Sequence, residues 1–146
     1  MQETPFVLLS LTDTLTVAFR ADAPGLAFLV LVAAMWTVAG IYALRYKDHL
    51  ENNGRFFAFY LLTLVMLVGL SFAANYMTLY LFFEMMTLFS VPLVLHDGTA
   101  EAVSAAKKYL FYSIFGATLG LLGFFFIHAY GTTGDFMPGG VLDAGK

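Results

Sequence analysis

Glu84 is the residue best placed to do chemistry in this chain, because from Phe56 to Leu95 nothing else carries a charge. A charged side chain at bilayer depth costs about 2.5–3.5 kcal/mol on insertion scales, so it persists where it is paired, hydrated or used. Tyr80, four residues before, and Thr87, three residues after, share its helical face, with Tyr76 one turn further out. Such a polar stripe can face a bundle interior and hold water, and a carboxyl in that setting can exchange a proton or an ion. The competing reading is a structural carboxyl, kept neutral and hydrogen-bonded to another helix.

Other candidates are weaker. Pro92 cannot donate to the carbonyl of Leu88, so it either loosens the helix or marks its end. Lys107 and Lys108 open the spanning part of the following helix. A span of about 20 residues counted back from Ala129 puts Lys108 near the hydrocarbon edge, roughly 15 Å from the depth of Glu84. That offset argues against a direct salt bridge and leaves room for a water chain. Lys107 reads as a topological anchor, and Lys108 as either an anchor or a second relay. Gly116 and Gly120 are spaced for close approach of another helix. His49, His96 and His128 fall at different levels, which argues against haem or metal ligation, so no cofactor is expected.

The elements that must carry these residues are hydrophobic. The chain is 60% apolar and 12% charged, with 16 Phe and 8 Tyr, and its mean hydropathy is +0.81. About a quarter of a soluble domain is charged, so this is an all-α membrane protein. A net charge of −3 leaves no basic patch for nucleic acid. With no cysteine there are no disulfides, thiolate metal sites or Cys nucleophiles. No Lys or Arg precedes Arg20, which argues against a cleavable signal.

Four stretches are expected to span: Pro24–Leu44, Phe56–Ala73, Tyr76–Leu95 and Thr99–Tyr130. Asn75 marks a tight turn, and His96-Asp97-Gly98 breaks the helical pattern. The last stretch outruns the hydrocarbon, so its first turns with Glu101, Lys107 and Lys108 lie at the surface. Before the first span, Thr12, Thr14 and Thr16 alternate with Leu11, Leu15 and Val17, a strand period that predicts a surface ribbon over Phe6–Phe19. The organisation is thus an N-terminal ribbon (1–22), a four-helix transmembrane region (23–131) and a loop or tail (132–146). Arg45, Lys47, Arg55, Lys107 and Lys108 flank one end of the spans, and only Arg20 and Lys146 the other. That bias places both connections in the cytoplasm and both termini outside. Tyr46 and Tyr109, with Tyr76 and Tyr130 opposite, suit an aromatic belt.

The run Ala74-Asn75-Tyr76-Met77-Thr78-Leu79-Tyr80-Leu81-Phe82-Phe83-Glu84-Met85-Met86-Thr87-Leu88, followed by Ala105-Ala106-Lys107-Lys108-Tyr109-Leu110, resembles the antiporter-like membrane subunits of respiratory complex I, Mrp-type sodium/proton antiporters and membrane-bound hydrogenases. Arg20-Ala21-Asp22 and Arg55-Phe56-Phe57-Ala58 are similar to further family features. The resemblance covers about residues 10–135 and corresponds to the third to sixth helices of such a subunit. It implies that Glu84 is a proton-relay carboxylate and Lys108 the basic residue of the following helix, with Tyr80 and Thr87 as supporting polar groups. It also implies a bundle completed elsewhere, other membrane subunits as partners, protons or sodium ions as cargo, and a bacterial or archaeal cytoplasmic membrane. Any redox chemistry, of a NADH:quinone oxidoreductase or hydrogenase type, belongs to the rest of the complex. The helix whose lysine pairs with the glutamate in that family lies beyond the last residue.

Two other classes compete. A small autonomous proton-coupled exporter is also built from four helices with one buried Glu, but carries that Glu in its first helix. A structural anchor would use Glu84 and Gly116/Gly120 only for packing.

Overall fold

The computed structural model describes residues 5–10, 15–46, 53–137 and 140–141. Lys47, His49 and Lys146 lie outside the described residues, as do Leu11, Thr12 and Thr14 of the expected ribbon and the side chain of Tyr46. Among the described residues the order is β1 (Phe6–Ser10), β2 (Thr16–Phe19), α1 (Ala23–Tyr46), α2 (Asn53–Ser71), α3 (Tyr76–Val94) and α4 (Ala100–Tyr130). All four helices are long and apolar enough to cross a membrane. In hydrocarbon a helix satisfies its own backbone, which is why these apolar runs are helical despite many β-branched and aromatic residues. Exposed side chains such as Leu31, Phe111, Phe115 and Phe126 give the bundle an apolar exterior.

The helix ends follow local chemistry. Asp22 caps α1, its carboxylate accepting from the N–H of Gly25 at 2.8 Å. The Asn75 side chain caps α3 by accepting from Thr78 N at 2.8 Å, and Thr99 caps α4 by accepting from Ala102 N at 3.1 Å. Pro92 lies in the last turn of α3, which ends two residues later, so the proline marks the terminus rather than a mid-helix bend. The break that follows is made by Gly98 at φ 64°, a conformation that favours glycine.

The second span starts a turn earlier than the expected Phe56 and stops at Ser71 rather than Ala73. Its end is shortened because β2 competes for the backbone. Arg20 N donates to Phe72 O at 2.8 Å, and Ala74 N donates to Ala18 O at 2.9 Å. The ribbon itself is antiparallel, pairing Phe6 with Phe19 and Ser10 with Thr16, with an irregularity between Val7 and Leu9. β1 is exposed throughout, whereas Val17 and Ala18 of β2 are buried against the α2–α3 turn.

A polar knot fastens this end of the bundle. Thr78, completely buried, donates to Asn75 Oδ1 at 2.8 Å and accepts from Ala18 N at 2.9 Å. Asn75 Nδ2 in turn donates to Thr16 O at 2.9 Å and to Thr16 Oγ1 at 3.2 Å. The segment after α4, expected as an irregular loop, also returns here. Tyr76 N donates to Gly134 O at 3.1 Å, Phe136 N donates to Ala74 O at 3.1 Å, and the Tyr76 and Phe136 rings meet edge-on at 4.5 Å. Arg20 ties the loop down by donating to Phe136 O at 3.1 Å while pairing with Asp22 at 3.4 Å.

α3 is the central helix, packed against α2 on one side and α4 on the other. At Gly69 of α2 an added Cβ would collide with the Phe82 ring of α3, which also meets Phe19 of β2 edge-on at 5.4 Å. Gly69→Ala is therefore expected to push Phe82 aside and cost about 1–3 kcal/mol, as overpacking does. Thermal unfolding in detergent checks this; an unchanged midpoint would contradict the packing.

Candidate functional site

Glu84 sits midway along α3, half-buried, with Oε1 enclosed and without a hydrogen-bond partner among the described residues. Tyr80 is its neighbour one turn away on the same face of α3. The Tyr80 ring lies over Gly120 of α4: a Cβ built there would stand 3.9 Å from the ring carbons. Glycine thus lets α4 approach the face of α3 that carries Tyr80 and Glu84. Among the described residues, Gly120 rather than Gly116 is the glycine of the expected pair that meets α3. Gly116 and Gly123 have no neighbouring atom within 4 Å.

Thr87 is buried at 8% exposure, but its hydroxyl donates to Phe83 O at 2.6 Å rather than to Glu84. Below it the polar line continues. Ser90 Oγ donates to Thr87 O at 2.7 Å and shares a 2.7 Å hydrogen bond with the Tyr109 hydroxyl of α4. In the sequence Ser90 carries no signal of its own, and Tyr109 reads as a belt residue rather than as a partner for Ser90. They are 19 positions apart on different helices, and only the packing register brings them together.

That register also places Lys108. With Tyr80 against Gly120 and Ser90 against Tyr109, Glu84 is level with Gly116. Lys108 is then roughly 12 Å away along the antiparallel helix, close to the offset read from the sequence. Both Lys107 and Lys108 are exposed. The structure brings Tyr80 and Glu84 together, sets Thr87 beside them with its hydroxyl turned to the backbone, and keeps Lys108 apart.

His96 and His128 lie at opposite ends of the bundle, and His49 is outside the described residues. His96, at the end opposite the ribbon, is buried with neither ring nitrogen bonded among the described residues, its ring edge-on to Phe56 at 5.2 Å. His128 is exposed near the ribbon end of α4. Among the described residues no three His, Cys, Asp or Glu side chains lie together as a metal site.

A carboxyl with one enclosed oxygen, midway along an apolar helix, is costly in a membrane unless it is paired, hydrated or used. Residues 73–138, which hold α3, α4 and the returning loop, match the family described as NADH:quinone oxidoreductase/Mrp antiporter, transmembrane region. Over that segment the chain is antiporter-like. Over 103 residues it is 30% identical to Na(+)/H(+) antiporter subunit A1 of Staphylococcus aureus strain bovine RF122 / ET3-1, and equally to that of strain JH9. The alignment takes in 70% of this chain and 13% of each relative. No solved structure matches the chain. The family match contains Tyr80, Glu84, Thr87 and Lys108, and also the Asn75–Thr78 knot, so the antiporter-like segment carries both the acid and the joint that fixes its helix.

Proposed function

We propose that this chain contributes a proton-relay carboxylate, Glu84, to an antiporter-like unit that moves protons or sodium ions across a membrane in company with other membrane subunits. The observation that carries the reading is the enclosed Glu84 Oε1 with no hydrogen-bond donor among the described residues. A buried carboxylate oxygen left unsatisfied costs about 1–3 kcal/mol or more. Water or a bound proton is the donor small enough to reach it without disturbing the apolar helix. Tyr80, one turn away on the same face of α3, is the side chain placed to support the carboxylate. Relatives named as Na(+)/H(+) antiporter subunits support the choice of cargo. Comparing Glu84→Gln with wild type in the assembled, energised membrane tests the reading; undiminished coupled transport in the variant would end it.

Lys108 takes a secondary place in this scheme. It is exposed and distant from the acid, so it exchanges charge with Glu84 only through intervening water or another subunit. Lys108→Ala is expected to lower transport by less than about tenfold, under ~1.4 kcal/mol of barrier. Initial rates of pH-gradient-driven flux check this; a loss as large as that of Glu84→Gln would instead make the two residues one unit. The same scheme puts the ribbon end outside the cytoplasm, following the excess of Lys and Arg at the opposite end.

A further inference from the structure

A cavity of about 300 Å³ opens between α3 and α4 at the ribbon end, walled by Met77, Phe124, His128, Thr133 and Asp135. Asn75 and Thr16 also border it, but their polar atoms are bound to each other and to Thr78. The groups with capacity to spare are the exposed Asp135 carboxylate, the His128 imidazole and the Thr133 hydroxyl, which accepts from Asp135 N at 3.1 Å and keeps its own proton free to donate. His128 is held with its ring stacked on Phe124, centroids 6.2 Å apart and planes at 17°. No lysine or arginine is among the described residues that line the space. A carboxylate with no ion-pair partner among the described residues, in a cleft with low-dielectric walls, concentrates cations.

The cavity stands in line with the acid. Met77 and Glu84 are seven residues apart on α3, hence on one face and about 10 Å apart along the axis. Phe124 and Gly120 are four apart on the facing surface of α4. Between the two levels stands Tyr80, its ring over Gly120 and its phenol beside Glu84. Tyr80 lies about one helical turn from Met77 on the cavity wall and one turn from Glu84, so it stands along the line that joins them.

We infer that the cavity is a vestibule that takes small hydrated monovalent cations, hydronium or sodium, from the water at the ribbon end, and that Tyr80 is the septum between it and Glu84. This rests on the reading of Glu84 as an exchanging group. The natural chain has no cysteine, so a single introduced thiol reports on access to this subunit. In the assembled membrane complex, Met77→Cys is labelled with membrane-impermeant methanethiosulfonates of opposite charge, applied to each face in turn. Labelling is expected from one face alone, with the cationic reagent about tenfold favoured over the anionic one relative to a free thiol. Asp135→Asn is expected to remove that preference. Glu84→Cys is expected to stay silent with Tyr80 in place and to become reactive from the same face when combined with Tyr80→Ala. Thr133→Cys, on the cavity wall, gives the same charge readout should Met77→Cys fail to assemble. Slower labelling in sodium than in choline at equal ionic strength identifies sodium as the occupant, and equal rates identify the proton. A thiol at Met77 silent from both faces, or charge-indifferent labelling, overturns the vestibule. If Glu84→Gln leaves transport intact while Met77→Cys labels as expected, the vestibule stands and the relay falls; the reverse pattern spares the relay.

Discussion

Replacing Glu84 by Gln is expected to cut coupled proton or sodium flux by roughly 100-fold or more, the scale lost when a positioned proton-transfer group is removed. Gln matches the volume of Glu and can still hydrogen-bond to Tyr80, so α3 keeps its place between α2 and α4. What it cannot do is bind and release a proton. Glu84→Ala should lose the flux equally and also leave a void beside Tyr80, which makes Gln the cleaner variant. The measurement is initial-rate flux in membranes with the assembled complex, normalised to the amount of this subunit present. Equal assembly with collapsed flux separates a relay from a packing role. A structural carboxyl would give the opposite pattern, because a neutral amide replaces a neutral acid with little consequence.

The second large effect concerns the joint at the ribbon end. Asn75→Ala removes the cap of α3, worth about 1 kcal/mol. It also strips the acceptor from the completely buried Thr78 hydroxyl and the donor from Thr16. Each buried polar group left unpaired costs about 1–3 kcal/mol, so a total loss near 3 kcal/mol is expected. Thr78→Val, close in shape, should cost somewhat less by orphaning Ala18 N. Both variants loosen β2 at the α2–α3 turn, leaving it held by the backbone bonds Arg20 N–Phe72 O and Ala74 N–Ala18 O. Limited proteolysis between β2 and α1, followed with time, reads that loosening directly. Unchanged cleavage in Asn75→Ala would mean that the ribbon is held by apolar contacts such as Phe19–Phe82 instead.

These two sites also show where the sequence is readable. The spans follow from apolar length, and Asn75 and Thr99 announce the starts of α3 and α4 because their side chains can satisfy free N–H groups. The depth of Lys108 relative to Glu84 follows from helical rise alone. The end of α2 does not, because Phe72 and Ala74 are drawn out of the helix by a strand more than 50 residues earlier in the chain. The return of Gly134–Phe136 to the same joint is equally silent, since glycine and proline content describes a loop without saying what it docks on. At the site, Tyr80 and Glu84 are legible as neighbours on one helix face. The partner that permits their setting, Gly120, reads in the sequence only as one of several small residues. Ser90 and Tyr109 meet by interhelical register, which periodicity within one helix does not encode.

The claim most exposed to test is that Glu84 takes up and gives back a proton through internal water. Infrared difference spectra of the assembled complex, recorded between the resting and energised membrane, address it directly. The expected result is a protonated-carboxyl band that appears or vanishes on energisation, moves in heavy water, and is missing in Glu84→Gln. A Glu84 band that neither changes with energisation nor exchanges with heavy water, in a complex that still transports, would contradict it.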